Sequence, residues 1–184
     1  MAVNGALSLF STRGPDYWIA CDPQELVANF IPLVPPRETT YLVASKCHPT
    51  VFAMLEQRDV RLWHVNDHPV PGHRTVPAAV SVTICALMLA MRLGYRTIHV
   101  YGWDCCYDGD EHHAAPGSEV SPVGGILDVE VDAEGEPLWF KSNATWCCEV
   151  EDAGKVLPVL KWCGVDVIIH GGRMLASILH EYAA

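Results

Sequence analysis

The stretch Thr97-Ile98-His99-Val100-Tyr101-Gly102-Trp103-Asp104 decides the fold predicted for this chain. It is typical of a buried β-strand that stops at a glycine and is followed by a carboxylate. An apolar run from Ala78 to Leu93 precedes it and predicts a helix buried on all sides. In open α/β sheets, ligands bind where the carboxyl ends of parallel strands give way to loops. The order of helix, turn, strand and acidic loop therefore predicts a ligand site beyond Tyr101.

The composition indicates one globular domain spanning residues 1–184. Half of the residues are hydrophobic and 18% are charged, which is typical of a folded chain with a full core. The net charge is −10, with only 12 Lys and Arg residues. Because nucleic-acid binders present clustered basic side chains, a nucleic-acid partner is not expected.

No segment has the character of a membrane span. The longest apolar run contains Ser81 and Thr83 and ends in Arg92, so it is too short and too polar for a bilayer core. The N-terminus shows no basic region leading into an apolar stretch, so no signal peptide is expected and the predicted location is cytoplasmic. The oligomeric state stays open, with a homo-oligomer as one possibility.

The alternation of strands and helices predicts a three-layer, Rossmann-like α/β fold, with a mostly parallel sheet and helices on both faces. A small β-hairpin insertion is expected where residues 128–132 alternate with period two and turn into residues 138–140. Strands are expected at 17–21, 40–44, 60–65, 97–101 and 165–169, and helices at 22–30, 48–55, 76–93, 145–163 and from Arg173.

The eight cysteines include two adjacent pairs and no C-x-x-C unit. Structural zinc sites favour two to four residues between paired thiolates, so most of these cysteines are expected to be packed thiols, with zinc as an alternative. Cys21, Cys85 and Cys163 in particular are expected in or beside core elements.

The loop after Asp104 supplies the candidate metal ligands. Asp108 and Asp110 form a D-x-D pair whose carboxylates suit Mg²⁺ or Mn²⁺ bridging a substrate diphosphate. A solvated acidic turn is the alternative. His113, beside His112, is the candidate general base, with simple exposure to solvent as its alternative.

Other histidines and the tryptophans have weaker candidate roles. His68 and His73 flank a Pro-Gly turn and would line the pocket, whereas His170 is expected to cap backbone groups. The tryptophans could stack on a base or pterin, although large aromatic side chains are usually core residues. They are Trp103, Trp139 and Trp146.

Several segments together resemble one known superfamily. They are Ser81-Val82 with Ala86-Leu87, Leu89-Ala90 and Leu93-Gly94, then Ile98-x-Val100-x-Gly102-x-Asp104 and Tyr107-x-Gly109, and finally Gly172-Arg173-Met174-Leu175. Val3-Asn4-Gly5-Ala6 and Pro15-Asp16-Tyr17-x-Ile19-Ala20-x-Asp22 match its first half. The chain resembles the MptE-like superfamily, which includes hydroxymethyl-dihydropterin diphosphokinase and the central domain of motility-associated factors. It is also similar to the bacterial sialyltransferases of glycosyltransferase family 42.

The resemblance implies a transferase that uses a nucleotide or nucleotide-sugar donor. Asn4 would lie at a strand end near the nucleotide, and Ser81 at a helix N-terminus that favours an anion. Gly102 would allow close approach of the ligand, and Asp104 would face the nucleotide or a divalent cation as a catalytic residue. Asp22 is expected among the nucleotide-binding residues, with a helix N-cap as its alternative.

Two departures from the family pattern support a second hypothesis. The family carries a Gly-Pro-Ser loop upstream of the segment matched by Asn4, and Met1 comes too late to include it, so either the gene start is late or the protein is a reduced relative. The sialyltransferases carry a catalytic histidine where this chain has Ser142-Asn143-Ala144-Thr145-Trp146. A non-catalytic binding or assembly module is therefore the alternative to a transferase.

Overall fold

The structure is a computed structural model that describes residues 1–10, 13–67, 71–73, 75–108, 125–133, 135–171 and 173–184. It divides into two compact units. The described residues of the first unit are 1–86, and those of the second are 87–108 and 125–184 with the gaps just given. The single domain expected over residues 1–184 stays a prediction.

The first unit contains a five-stranded parallel sheet whose strands are adjacent in chain order. The register places Ile19 beside Leu42 and Leu42 beside Arg61. This sheet confirms the α/β class and the parallel sense of the predicted strands. The strands are β1 (Ala2–Val3), β2 (Tyr17–Ala20), β3 (Thr40–Ala44), β4 (Asp59–Val65) and β5 (Thr75–Val76).

Short helices connect these strands. 3-10 helices span Asn4–Leu9 and Glu25–Phe30, and α1 spans Pro49–Met54. The α-helix predicted over residues 22–30 was wrong in type and in starting point. The Asp22 carboxylate accepts a hydrogen bond from the Gln24 amide at 2.9 Å, and Gln24 stays extended at ψ 140°, so the helical turn begins only after Gln24.

Helix α2 (Val82–Arg92) begins in the first unit and ends in the second. It starts later than predicted because Val76 pairs with Val65 in the sheet, and because the Ser81 hydroxyl accepts from the Ile84 amide at 3.4 Å. Residues 84–90 are all buried, which confirms the buried apolar character of this segment. Neither α2 nor any other helix in the described part of the chain is long and apolar enough to cross a membrane.

The second unit pairs β6 (Thr97–Tyr101) in parallel with β9 (Asp166–His170). The bounds predicted for β6 are confirmed, but the expectation that it is a buried strand was wrong. Tyr101 is 73% exposed, His99 is exposed as well, and Val100 is only half-buried. Among the described residues β6 has β9 as its single neighbour strand, so its other edge is unpaired. The alternate residues Thr97, His99 and Tyr101 are exposed, so the face that carries them is open to solvent.

The remaining elements of the second unit are a hairpin, two α-helices and a 3-10 helix at His180–Tyr182. Strands β7 (Leu127–Ala133) and β8 (Glu136–Ser142) pair antiparallel, over longer ranges than the sequence predicted. Helix α3 (Ala144–Trp162) ends at its C-cap Cys163 and is followed by Gly164 at φ +75°, the left-handed conformation that is typical of a glycine after a helix. Helix α4 (Met174–Ile178) follows Arg173 as expected.

Candidate functional site

Polar and small residues lie at or just after the carboxyl ends of the strands in each unit. We call those of the first unit the first edge: Asn4, Cys21, Asp22, Ser45, Lys46, His64 and Asp67. We call those of the second unit the second edge: Gly102, Asp104, Asp108, His170 and Arg173. In a parallel sheet the carboxyl ends of neighbouring strands share one edge, where ligands bind.

Asn4 lies at the end of β1, as predicted, and it is the most unusual residue of the first edge. Its backbone has φ +42°, in the left-handed region. Its carbonyl oxygen accepts from the Trp18 indole at 2.9 Å, whereas its side-chain Oδ1 is buried without a hydrogen-bond partner among the described residues. A buried acceptor left unpaired costs about 1–3 kcal/mol. Strain and an unpaired polar atom at one residue are typical of functional sites.

Asp22 and Ser81 serve local backbone groups. The Asp22 carboxylate accepts from the Gln24 amide, and the Ser81 hydroxyl accepts from the Ile84 amide. Ser81 therefore lies at the start of α2, where it was expected, and caps it. Asp22 holds a local turn, but it is not the helix N-cap that was its alternative role, because the N-cap of the following 3-10 helix is Gln24. Contact of either residue with a nucleotide stays a prediction.

Ser45, Lys46 and His64 belong to the first edge, although sequence reasoning missed them. Ser45 Oγ and His64 Nδ1 are 2.8 Å apart, and Lys46 Nζ lies 3.5 Å from Asp67 Oδ2. The Lys46 side chain is only 17% exposed, so its charge is held near the sheet. The detectable signal was a Ser-Lys pair placed directly after the apolar run of β3.

The histidines expected around the Pro-Gly turn are only partly described. The ring of His73 contacts that of His64, with 4.8 Å between their centroids, so His73 does lie beside this edge. His68 lies outside the described residues.

Three buried cysteines surround the end of β2. A hydrogen bond from Cys85 lowers the pKa of the Cys21 thiol, against the effect of burial, and the Lys46 charge lowers it further. The same hydrogen bond and burial raise the pKa of Cys85. Burial, together with the nearby Cys21, raises the pKa of Cys47 to about 12.

The cysteines are free thiols, as expected. Cys21 and Cys85 are buried, and Cys163 lies beside a core element, helix α3, as expected, although its own side chain is exposed. Cys163 is the C-cap of α3, where the chain turns through Gly164 at the surface. In the described ranges no group of three or more His, Cys, Asp or Glu side chains is arranged to hold a metal ion.

The second edge begins at Gly102, which has φ +70° with open space where a side chain would lie. This conformation favours glycine and turns the chain after β6. Trp103 then points into the core, where its indole donates to the Glu149 carboxylate at 2.6 Å. Trp103 is therefore a core residue and not a stacking platform.

Asp104 is half-buried at the end of this turn. Its backbone oxygen accepts from the Leu175 amide at 3.2 Å, and its Oδ1 lies 3.1 Å from the position that a Cβ on Gly171 would take. Burial raises the pKa of the Asp104 carboxyl, Arg173 opposes the shift and Asp108 adds to it. The side chain is therefore held against the carboxyl end of β9.

Asp108, a predicted metal ligand, forms an ion pair with Arg173 at 2.5 Å. The guanidinium already neutralises this carboxylate, so a divalent cation would have to compete with it. Asp110, its predicted partner, and His113, the predicted base, lie outside the described residues. The metal and base roles of these three residues stay predictions.

His170 was expected to cap backbone groups, but its Nε2 lies 2.8 Å from His99 Nδ1. Its ring also stacks on Tyr101, with centroids 4.3 Å apart and planes at 7°. Parallel pairing places Tyr101 directly opposite His170, which explains these side-chain contacts. The other two candidate tryptophans differ in their environment. Trp139 is 64% exposed, whereas the ring of Trp146 packs on that of Tyr107, with 4.8 Å between the centroids.

Comparisons with protein families, with curated proteins and with solved structures gave no match for this chain. The resemblance to the MptE-like superfamily therefore stays a prediction.

Proposed function

We propose that this protein is a nucleotide-binding transferase whose donor binds at the carboxyl ends of the parallel strands. The donor is a nucleotide sugar or ATP, and the two reactions are glycosyl transfer and diphosphate transfer to a pterin-like alcohol. The proposal includes a three-layer Rossmann-like arrangement in which β7 and β8 form an inserted hairpin. It also includes a cytoplasmic location. The buried, unpaired Oδ1 of Asn4 is the observation that carries the proposal.

A nucleotide would complete the hydrogen bonding of Asn4. An amide oxygen accepts hydrogen bonds, and a ribose hydroxyl or a base amino group donates them. Asn4 directly follows β1, so such a group would lie at the strand end where parallel sheets bind ligands. The left-handed backbone at φ +42° fixes the direction of the side chain.

The chemistry proposed for both reactions is mainly electrostatic. Transfer from a nucleotide donor requires the phosphates to be positioned and the leaving-group charge to be neutralised. Lys46, held near the first unit's sheet, is a suitable cation for a phosphate. Contact of Asp104, in the second unit, with a Mg²⁺-nucleotide complex is a separate proposal, which rests on the preference of Mg²⁺ for carboxylate oxygen.

A thermal-shift measurement with CMP, CDP, UDP and ATP, each with and without Mg²⁺, tests the proposal. We expect at least one nucleotide to raise the melting temperature of the wild type. The Asn4→Gly variant should keep or raise the melting temperature without ligand, because glycine adopts φ +42° freely and the unpaired oxygen is removed. The same variant should lose the shift caused by the nucleotide.

Asn29→Gly is the matched control, because Asn29 is an exposed asparagine in the 3-10 helix Glu25–Phe30. It should retain the full nucleotide shift. An equal shift in Asn4→Gly and wild type would remove Asn4 from the site, and no shift with any nucleotide would contradict the proposed function.

One observation favours the alternative of a non-catalytic module. Asn143, in the segment where the sialyltransferases carry their histidine, is 3% exposed and caps α3 by accepting from the Trp146 amide at 3.0 Å. Ser142 is fully buried, and its hydroxyl donates to the Cys105 carbonyl at 2.7 Å. These residues have structural roles. Nucleotide binding without turnover of any donor would support this alternative.

A further inference from the structure

We propose that His99 and His170 form a chelating site for a divalent transition-metal ion of the Cu²⁺ or Ni²⁺ type. The two imidazole rings supply two nitrogen ligands on the exposed face of the β6–β9 pair, and water molecules complete the coordination. The site is separate from the metal site predicted at Asp108 and Asp110, and the proposal does not depend on nucleotide binding.

The pairing of β6 with β9 brings the two histidines onto one face of the sheet. His99 lies opposite Ile168 and Tyr101 lies opposite His170, so the histidines are diagonal neighbours across the two strands. His99 is exposed and His170 is half-buried. An ion can therefore reach both rings from solvent, while the paired strands hold the two ligands at a fixed spacing.

Two ring contacts orient the ligand nitrogens. His99 Nδ1 and His170 Nε2 face each other at 2.8 Å, with 28° between the ring planes. The His170 ring also stacks on that of Tyr101, with 4.3 Å between the centroids and 7° between the planes. Because stacking already restricts the His170 ring, this ligand is preorganised, and only the exposed His99 ring has to tilt to aim its lone pair at a shared ion.

The separation of the two nitrogens selects the kind of ion. A bond from imidazole nitrogen to the ion is about 2.0–2.1 Å long, so two such nitrogens lie about 2.9 Å apart at a right angle and about 3.3 Å apart at the tetrahedral angle. The 2.8 Å between His99 and His170 is closer to the right angle. Square-planar and tetragonal coordination is typical of Cu²⁺ and Ni²⁺, whereas Zn²⁺ prefers a tetrahedron.

Metal binding replaces the proton that the two rings share. Without the ion, one of the two facing nitrogens donates a hydrogen bond to the other. On binding, the donating nitrogen releases its proton to water, and the second nitrogen of the same ring takes one up, so both imidazoles stay neutral. Both facing nitrogens then present lone pairs to the ion. The net charge of −10 on the chain favours the approach of a cation.

Calorimetric titration of the tag-free wild-type protein with Ni²⁺, after alkylation of its accessible thiols, provides the primary test. Ni²⁺ is the probe because, unlike Cu²⁺, it does not oxidise thiols. We expect saturable binding of one Ni²⁺ per chain, and weaker binding of Zn²⁺. The proposal is overturned if Ni²⁺ does not bind, or if Zn²⁺ binds more tightly than Ni²⁺.

Variants test the two ligands. His99→Gln and His170→Gln should each weaken Ni²⁺ binding at least about tenfold, because a single imidazole cannot chelate. The double variant should add little, since either substitution alone already ends chelation. Tyr101→Ala should also weaken binding, and Tyr101→Phe, which keeps the stacked ring, should not. His180→Gln is the matched control, because it removes an exposed histidine of the same unit, and it should leave the affinity unchanged.

Two further variants distinguish this site from the acidic loop. Asp108→Asn, and the double variant His112→Gln with His113→Gln, should retain Ni²⁺ binding. If either of them loses it while His99→Gln retains it, the ion is held by the loop and the proposal is overturned.

Chemical protection of the wild type decides the matter even if a variant does not fold. Diethyl pyrocarbonate modifies accessible imidazoles, and cleavage after Lys and Arg places His99, His170 and His180 on the separate peptides 97–141, 162–173 and 174–184. We expect Ni²⁺ to slow the modification of His99 and His170 and to leave that of His180 unchanged. Equal modification rates of His99 and His170 with and without Ni²⁺ would overturn the proposal.

Discussion

At the residue scale, Asp104 is a carboxylate that the fold holds in a half-buried environment unfavourable to its charge. Burial acts against its ionised form, and the Arg173 charge compensates only in part, since the pKa of Asp104 stays raised. Its backbone oxygen is fixed by the Leu175 amide, so the side chain remains at the end of β9. A carboxylate kept in such a place is a candidate for a role other than stability.

The raised pKa of Asp104 predicts how stability depends on pH. Because the folded state binds this proton more tightly than the unfolded state, the stabilising contribution is complete below the unfolded pKa of about 3.9 and is lost as the pH rises through the folded value. Asp104→Asn removes this titration. It should therefore be more stable than wild type at pH 7, and the advantage should shrink towards pH 4.

Urea denaturation at several pH values measures this difference, and Asp128→Asn on the exposed part of the hairpin is the control. An advantage of Asp104→Asn that stays constant from pH 7 to pH 4 would show that ionisation of Asp104 is not its cause.

The candidate residues could be located from sequence, but their partners could not. The pattern of strand, glycine and carboxylate correctly placed Gly102 and Asp104 at the end of β6, whereas the position of Asn4 at a strand end was expected only from the resemblance. The pairing of Asp108 with Arg173, and of Ser45 with His64, joins residues that are far apart in the chain. Such pairs are set by tertiary packing, which no local periodicity records.

At the element scale, the end of β9 depends on a glycine. Gly171 has φ +132°, and a Cβ there would lie 3.1 Å from Asp104 Oδ1. We expect Gly171→Ala to destabilise the protein by about 1–3 kcal/mol in urea denaturation, because both the backbone conformation and the contact become unfavourable.

Gly164→Ala is the matched control, since Gly164 has φ +75° and open space around the Cβ position. The Gly164→Ala variant should lose stability only through its unfavourable backbone conformation. The cost of Gly171→Ala should also fall in an Asp104→Ala background, where the contact is absent. If Gly171→Ala lost as much stability in the Asp104→Ala background as in wild type, the contact with the Asp104 side chain would not contribute to the loss.

Element positions followed from the sequence where local and tertiary preferences agree. The bounds of β3 and β6 were predicted correctly, because apolar and β-branched runs end there at clear turn residues. The start of α2 was predicted too early, because the apolar residues 78–80 lie directly before the helix and do not differ from it in hydrophobicity. The exposure of β6 was missed because burial depends on how many neighbours a strand acquires.

At the scale of the whole molecule, one helix belongs to both compact units. Helix α2 crosses the boundary after Ala86, and its residues 84–90 are buried on both sides of that boundary. Helix formation is cooperative, so a helix cannot easily persist in one half after the other half has melted. Loss of either unit should therefore weaken the part of α2 that belongs to the other.

This shared helix predicts that the protein unfolds in one transition, as the single domain expected from the chain length would. Calorimetry should give a van't Hoff enthalpy equal to the calorimetric enthalpy. In hydrogen-exchange measurements at rising urea, the amides of β3 in the first unit and of α3 in the second should lose protection at the same urea concentration. Ala86→Pro, which breaks α2 at the boundary, should lower the free energy of unfolding by about 3 kcal/mol or more. In this variant the amides of β3 and α3 should lose protection at different urea concentrations. If the amides of β3 and α3 lost protection at different urea concentrations already in the wild type, the two units would be independent domains, and α2 would not couple them.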